Sequence, residues 1–443
     1  MRTTLILTAC GLFLAACSTT PPVPKEGAPT LFEGALLISG EPGVVIENSA
    51  FLVADGKFTK VGKKAEIELP AGGARVDLTG KTVMPAIIDD HAHLGWQIVK
   101  TGTIGVDTYT RANLEDHLRR VAYYGVALTQ NLGIDPGETP YEVRAAAANG
   151  MALFRTAGRG MALPNMGPGQ AYWRPVAYGV ATEAEARKAV QELAAKKADI
   201  IKMWVDDRNG TVKKLPSNIR RAIIDEAHKN GLRAIAHIFY LADAKELLRE
   251  GIDAFAHGVR DKDIDDEFMK LMKQHPNVFM IPNLPDNPDN KPDAAWLKET
   301  IPGPIVDKMM EAFAKRTEKE EKTAHDFFGI QSRNLAKLNA AGVTIAFGTD
   351  SGVSLGWTAH AELSDMALSG MTAAQVITAA TKTAAEIVKM DDLGTIAPAK
   401  TASFIVLDAN PLDDMKNSRR ISQVYLKGSA LDRAKMSASF TAP

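Results

Sequence analysis

Beyond residue 17 this 443-residue chain has no cysteine; its two are Cys10 and Cys17. A domain folded downstream of them forms no disulfide and offers no thiolate to a metal. Any metal must be held by histidine, carboxylate or something less usual. Net charge is equally scarce: 52 Lys and Arg stand against 53 Asp and Glu, leaving −1. There is no basic field to hold nucleic acid or an anionic membrane surface. Long apolar runs are missing too. The most compact, residues 3–16, is too short for a lasting transmembrane helix. Histidine is sparse at nine residues, so a cluster of several carries information. What is present, 45% hydrophobic and 24% charged residues, is ordinary globular composition. It is enough for one large domain and a smaller one.

Small residues precede Cys17 in Leu14-Ala15-Ala16-Cys17, and a Ser/Thr/Pro-rich stretch, 18–30, follows. This resembles the bacterial lipobox, whose cysteine becomes the lipidated first residue of the mature protein. The expectation is a signal peptide over 1–17, lipidation at Cys17 and a tether over 18–30. Ser18 resembles the outer-membrane sorting class. A lipid-anchored protein of the cell envelope follows, on the periplasmic side, touching membrane only through that anchor.

Residues 31–81 read as short strands (35–39, 49–54, 58–61, 74–78) punctuated by turns such as Asp55-Gly56 and Thr79-Gly80. The stretches 403–408 and 421–427 are again β-prone. The two ends are expected to build one β-sandwich, 31–82 with 395–434. Between them strands and helices alternate. Candidate strands lie at 83–91, 126–132, 152–157, 199–205, 233–238, 254–257, 278–282 and 344–348. Helical stretches lie at 114–122, 141–148, 183–197, 218–229, 242–250 and 264–274. Thr182 with Glu185 and Thr372 with Gln375 have capping-box spacing. Eight alternations predict an α/β chain with a (β/α)8 barrel over 83–394. Residues 283–322 interrupt the rhythm after the seventh strand, as a lid, a surface insertion or an oligomer contact.

The strand ends carry the chemistry. His91 and His93, one residue apart on an extended strand, point to the same side and can close on one ion. Lys202 stands inside the apolar run 198–205, where an unpaired ammonium is costly. His237 and His257 each close an apolar strand, and Asp350 closes the eighth. Taken singly, each is more simply a satisfied polar group. A barrel, however, gathers these six residues, from the ends of five strands, onto one rim.

On these motifs the chain resembles the metal-dependent amidohydrolase superfamily, in the branch of imidazolonepropionase-like proteins, Xaa-Pro and Xaa-Arg dipeptidases and ochratoxin-degrading amidohydrolases. The resemblance runs from about residue 32 to 431. It is carried by Met84-Pro85-Ala86-Ile87-Ile88-Asp89-Asp90-His91-Ala92-His93, Ala198-Asp199-Ile200-Ile201-Lys202, Ala346-Phe347-Gly348-Thr349-Asp350-Ser351-Gly352 and the tail from Leu393 to Leu412. It implies two divalent metal ions, zinc foremost, with manganese or iron as alternatives. His91, His93 and Asp350 would hold the first ion, and His237 and His257 the second. Lys202, carboxylated by carbon dioxide, would bridge them. A hydroxide shared by the metals would attack an amide carbonyl, with Asp350 carrying its proton to the leaving amine. The implied substrate is a dipeptide or N-acyl amino acid, including ochratoxin-like molecules. Cyclic amides, lactones or other esters are the alternative on the same site. A deaminase is disfavoured by Lys202, and a non-catalytic binding lipoprotein by the full ligand set. Family members often assemble as homo-oligomers.

Tyr240, three residues after His237, is a candidate for the oxyanion or the pocket wall. Arg155 and Arg159 are candidates for a substrate carboxylate. His360 and Glu362 read as supporting or helix-start residues, and His117, His228, His275 and His325 as surface histidines. Three positions depart from the family pattern without removing a ligand: Pro85-Ala86 in place of Pro-Gly, Gln130-Asn131 in place of Arg-Asp, and Ala399 to Ser403 in the tail.

Overall fold

The computed structural model describes residues 28–442 except 147–148, 285–286, 288–289 and 353–354. The leader, Cys17 and most of the tether lie outside the described residues. Among those described, no helix is long and apolar enough to cross a membrane.

Both chain ends build two facing sheets. One has the order Lys57–Lys63, Ser49–Ala54, Thr30–Glu33, Ala74–Asp77. The other has the order Ser429–Ala430, Ile421–Leu426, Phe404–Leu407, Thr82–Pro85, Leu36–Ile38, Val45–Ile46. Phe32, Phe51 and Phe58 from the first sheet and Phe404 and Tyr425 from the second share one apolar core. Phe32 stacks on Phe51 at 4.9 Å and meets Phe404 edge-on at 5.2 Å, the offset and edge-to-face geometries that aromatic quadrupoles favour. Residue 30, expected in the tether, is already a buried strand residue, because Thr30–Glu33 is the strand between Ser49–Ala54 and Ala74–Asp77.

The central region is parallel. Ile87–Ala92, Val126–Asn131 and Leu153–Thr156 form one sheet. A second runs Tyr178–Gly179, Met161–Ala162, Ile201–Val205, Ala234–Ile238, Ala254–Ala256, Phe279–Ile281, Thr344–Ile345. Backbone hydrogen bonds join the two sheets on both sides. Asp199 N–H donates to the Thr156 carbonyl at 2.9 Å, Asp90 N–H to Phe347 at 3.0 Å and His93 N–H to Ser351 at 2.7 Å. The helices Arg111–Tyr123, Glu183–Ala195, Ser217–Lys229, Leu241–Glu250 and Asp266–Gln274 separate the strands. Thr182 and Thr372 accept from the backbone of Glu185 and Gln375, as capping boxes do.

Two expectations change, both in the strands. The run 83–91 is two strands: Thr82–Pro85 pairs with Phe404–Leu407, and Ile87–Ala92 with Val126–Asn131. The third strand is also broken, its first half pairing with Val126–Asn131 and its continuation, Met161–Ala162, with Met203. The long excursion is helical, as Ala294–Leu297, Gly303–Ala314 and Glu318–Ala340. Its Trp296 packs on Tyr124 at 4.5 Å and the Trp296 carbonyl accepts from the Tyr124 hydroxyl, while the Thr300 carbonyl accepts from Arg120 and the Thr300 hydroxyl donates to that of Tyr124. That part of the excursion is wedged against Arg111–Tyr123.

Candidate metal centre

The C-terminal ends of the parallel strands bring His91, His93, His257 and Asp350 together. Asp350 Oδ1 lies 3.2 Å from His91 Nε2 and 2.9 Å from His93 Nε2, and Oδ2 lies 3.8 Å from His257 Nε2. His91, His257 and Asp350 offer ligand atoms within 4.8 Å of one another. The His237 ring stands 4.5 Å from that of His257. Its Nε2 meets Asp206 Oδ2 at 3.1 Å.

The backbone is bent to achieve this. His257 and Asp350 have φ of 71° and 55°, the left-handed region that non-glycine residues occupy at a cost of order 1–3 kcal/mol. The close approach of the eighth strand to the first requires glycine at 348. A Cβ there would lie 2.5 Å from Ile281 and 2.8 Å from His91 Cβ. Buried Asp89 fastens the same junction, accepting from Thr349 Oγ1 at 2.7 Å and from the backbone of Thr349 and His91.

Lys202 is 1% exposed, and its Nζ has no hydrogen-bond partner among the described residues. Gly133, at φ 100°, makes room for it; a Cβ there would meet the lysine stem at 2.8 Å. Burial pushes the Lys202 ammonium down to about 7. Burial likewise holds His91 down to about 4, and His237 and His257 well below the ordinary histidine value. The three histidines are therefore neutral at pH 7, the form in which imidazole binds a metal, and Lys202 is near its midpoint, with a large share as the free amine that binds carbon dioxide.

The donor set fits a cation. His91 Nδ1 meets Asn283 Oδ1 at 2.8 Å, so Nδ1 carries the proton and Nε2 is a bare lone pair. That lone pair faces the Asp350 carboxylate with no proton between them. Two ligands of one zinc ion stand roughly 3–3.5 Å apart, given metal–ligand bonds of about 2.0–2.1 Å. The unpartnered amine of Lys202, once carboxylated, becomes an anionic oxygen donor.

Other candidates are placed elsewhere. Arg155 pairs with Asp199 at 2.8 Å and contacts Met390 Sδ at 2.8 Å. Arg159 donates to the carbonyls of Val176 and Ala177 and covers the Tyr178 ring at 4.0 Å. Both guanidiniums brace the scaffold. Replacing Arg155 with Met is expected to cost about 1–2 kcal/mol, seen as a fall in Tm, with KM unchanged. A large rise in KM without loss of Tm would return Arg155 to the pocket. Tyr240 stands in the loop after His237, its hydroxyl donating to Asp207 Oδ1 at 2.7 Å. His117, expected at the surface, is fully buried; its Nδ1 accepts from Gly95 N–H and its Nε2 donates to the Gln97 carbonyl. His360 is buried between Ser418 and the Tyr124 carbonyl.

Several residues around the centre carry no sequence signal. Asp206 and Arg260 both reach His237 Nε2, and Arg208 Nη1 pairs with Asp206 at 3.0 Å. Trp173 packs 5.8 Å from the His93 ring and 5.9 Å from Trp96. Asn283 is buried against His91. These residues lie in loops or, for Trp173, in the short 3-10 helix Ala171–Val176, where no periodicity marks them. The run Asp206-Asp207-Arg208 directly after a lysine-bearing strand was the one pattern available.

The amidohydrolase family profile matches residues 82–431. A Bifidobacterium longum protein assigned as a prolidase is 25% identical, with 94% of this chain and 98% of that one aligned at a TM-score of 0.72. A Xaa-Pro dipeptidase with methionine in its active site is 22% identical over 91% of this chain and 99% of its own, also at 0.72. The ochratoxinase of A. niger is 21% identical over 92% and 96%, at 0.69. Neighbours of this kind imply a TIM-barrel fold. With the histidines, the lysine and the aspartate at the strand ends, the protein belongs to the amidohydrolase family and is a hydrolase.

Proposed function

We propose that the protein is a binuclear metal-dependent amidohydrolase that cleaves a dipeptide or an N-acyl amino acid. The observation that carries this is the bare His91 Nε2 facing the Asp350 carboxylate, with the buried amine of Lys202 lacking a hydrogen-bond partner among the described residues. His91, His93 and Asp350 would hold one ion and His237 and His257 the other, with carboxylated Lys202 as a ligand they share. A bound divalent pair supplies Lewis-acid polarisation of the carbonyl and a water acidic enough to ionise near pH 7. Asp350, its side chain 32% exposed while the histidines around it are buried, faces the open side of the centre. Its carboxylate takes the proton of the attacking water and returns it to the leaving nitrogen. The names of the dipeptidase and ochratoxinase neighbours favour peptide and N-acyl amino acid bonds over rings and esters.

We further read residues 83–394 as a closed (β/α)8 barrel, and 31–82 with 395–434 as a β-sandwich. Lipidation at Cys17 would anchor this homo-oligomeric enzyme in the cell envelope. A hydrolysis screen read by mass spectrometry tests the substrate. It uses the chain after Cys17, zinc and bicarbonate, with dipeptides, N-acyl amino acids including ochratoxin A, cyclic amides and lactones. Cleavage that requires a free carboxylate beside the scissile amide is expected. Turnover of rings or esters alone would replace this substrate class.

A further inference from the structure

Asn283 follows the seventh strand and is 3% exposed, at a φ of 51°. Among the described residues its Oδ1 has two partners, both belonging to candidate ligands: His91 Nδ1 at 2.8 Å and, at 3.2 Å, the backbone N–H of His257, which it shares with the Ile281 carbonyl at 2.9 Å. The second contact orients the amide. A backbone N–H can only donate, so the atom facing it must be the oxygen rather than the NH2. That orientation in turn fixes the first contact, because an oxygen can only accept from Nδ1–H. One side chain thus sets the tautomer of His91 and steadies the strained turn at His257, two histidines from different strands.

Asn283 is itself held from behind. Buried Glu362, on helix Trp357–Leu368, accepts from the backbone N–H of Leu284 and also bonds that of Asn283. Asp365 on the same helix accepts from Asn287 at 2.7 Å and Asn290 at 3.1 Å. Arg419 donates to Asn290 Oδ1 at 2.9 Å. The loop after the seventh strand is thereby stapled to the helix that follows the eighth.

We infer that Asn283 is a positioning residue that locks His91 in the Nδ1–H form and aims its Nε2 lone pair, with Glu362 as its anchor. The inference rests on the proposed metal centre for its consequence, though not for its geometry. Supporting partners of this kind typically change metal affinity 10–100-fold when removed.

The test compares wild type, Asn283→Leu and Asn283→Asp. In metal-free protein with 15N-labelled histidine, the His91 resonances are identified by their loss in His91→Gln. The expectation is Nδ1–H in wild type and N283D, where an acceptor remains, and a switch toward Nε2–H in N283L, where Asp350 becomes the sole acceptor. Zinc affinity by competition with a chromophoric chelator should fall about 10–100-fold in N283L and stay within about threefold in N283D. An unchanged tautomer or affinity in N283L overturns the inference. So does a loss in N283D as large as that expected of N283L, and N283D decides alone should N283L not fold. If wild type takes up no zinc, the functional proposal falls, while the tautomer comparison still decides the role of Asn283.

Discussion

Asp350→Asn is expected to lower kcat by about 10³–10⁴-fold while leaving the fold and most of the substrate affinity in place. General acid–base groups contribute about 10²–10⁴ in rate, and Asp350 is also a ligand in the proposed centre. Asparagine is the informative substitution for two reasons. It retains an oxygen toward His91 and His93, which stand 3.2 and 2.9 Å from the present carboxylate. It also tolerates the left-handed backbone at this position, φ 55°, better than alanine. What it loses is the ability to accept and release a proton. Steady-state kinetics with metal analysis on the same sample separates the causes. A fall in kcat at full metal content identifies the base. Loss of zinc would mean that Asp350 acts chiefly as a ligand. Full activity would remove it from the mechanism.

Replacing Lys202 with methionine should stabilise the metal-free fold and abolish activity together. The wild-type amine is buried without a hydrogen bond, and methionine fills a similar volume without a polar atom. Turnover should fall at least about 10³-fold, because the bridging ligand is gone and a metal-centred reaction has lost its organising group. The stability gain depends on pH. Below pH 7 folded and unfolded chains both carry the ammonium, and the burial cost is full. Between about 7 and 10.5 the folded chain has shed a proton that the unfolded chain keeps, so metal-free wild type gains stability as pH rises. The Tm gap between K202M and metal-free wild type should therefore narrow across that window. A gap independent of pH, or retained turnover, would contradict the role given to Lys202.

The chemistry of the site was more legible in the sequence than its architecture. His91, His93, His237, His257 and Asp350 each end an apolar strand, and an isolated Lys202 in such a strand is an anomaly that sequence alone exposes. The break at Ala86 had one signal, Pro85, a residue that cannot donate to a strand ladder, but the apolar residues on both sides of it, Val83 to Ile88, read as one run, and hydropathy does not say that one half belongs to a different sheet. The broken third strand was hidden by the brevity of Met161–Ala162. His117 looked like a surface residue because helical position does not report which groups the loop Leu94 to Gln97 brings over it. Asn283 was unreadable for a different reason. Its importance lies in an oxygen pointing at two partners far away in the chain, and no spacing rule describes that.

The placement of Thr82–Pro85 has a consequence for how the protein is made. This strand leads directly into His91 and His93, yet it is flanked by Leu36–Ile38 from the start of the chain and Phe404–Leu407 from near its end. Residue 83 pairs with residue 406, a contact whose loop-closure entropy is among the largest the topology contains. During synthesis one edge of Thr82–Pro85 stays unpaired until the C-terminal strands emerge. The root of the first ligand strand is thus among the last parts of the molecule to be secured, and the unfinished chain carries an open β-edge beside its own active centre.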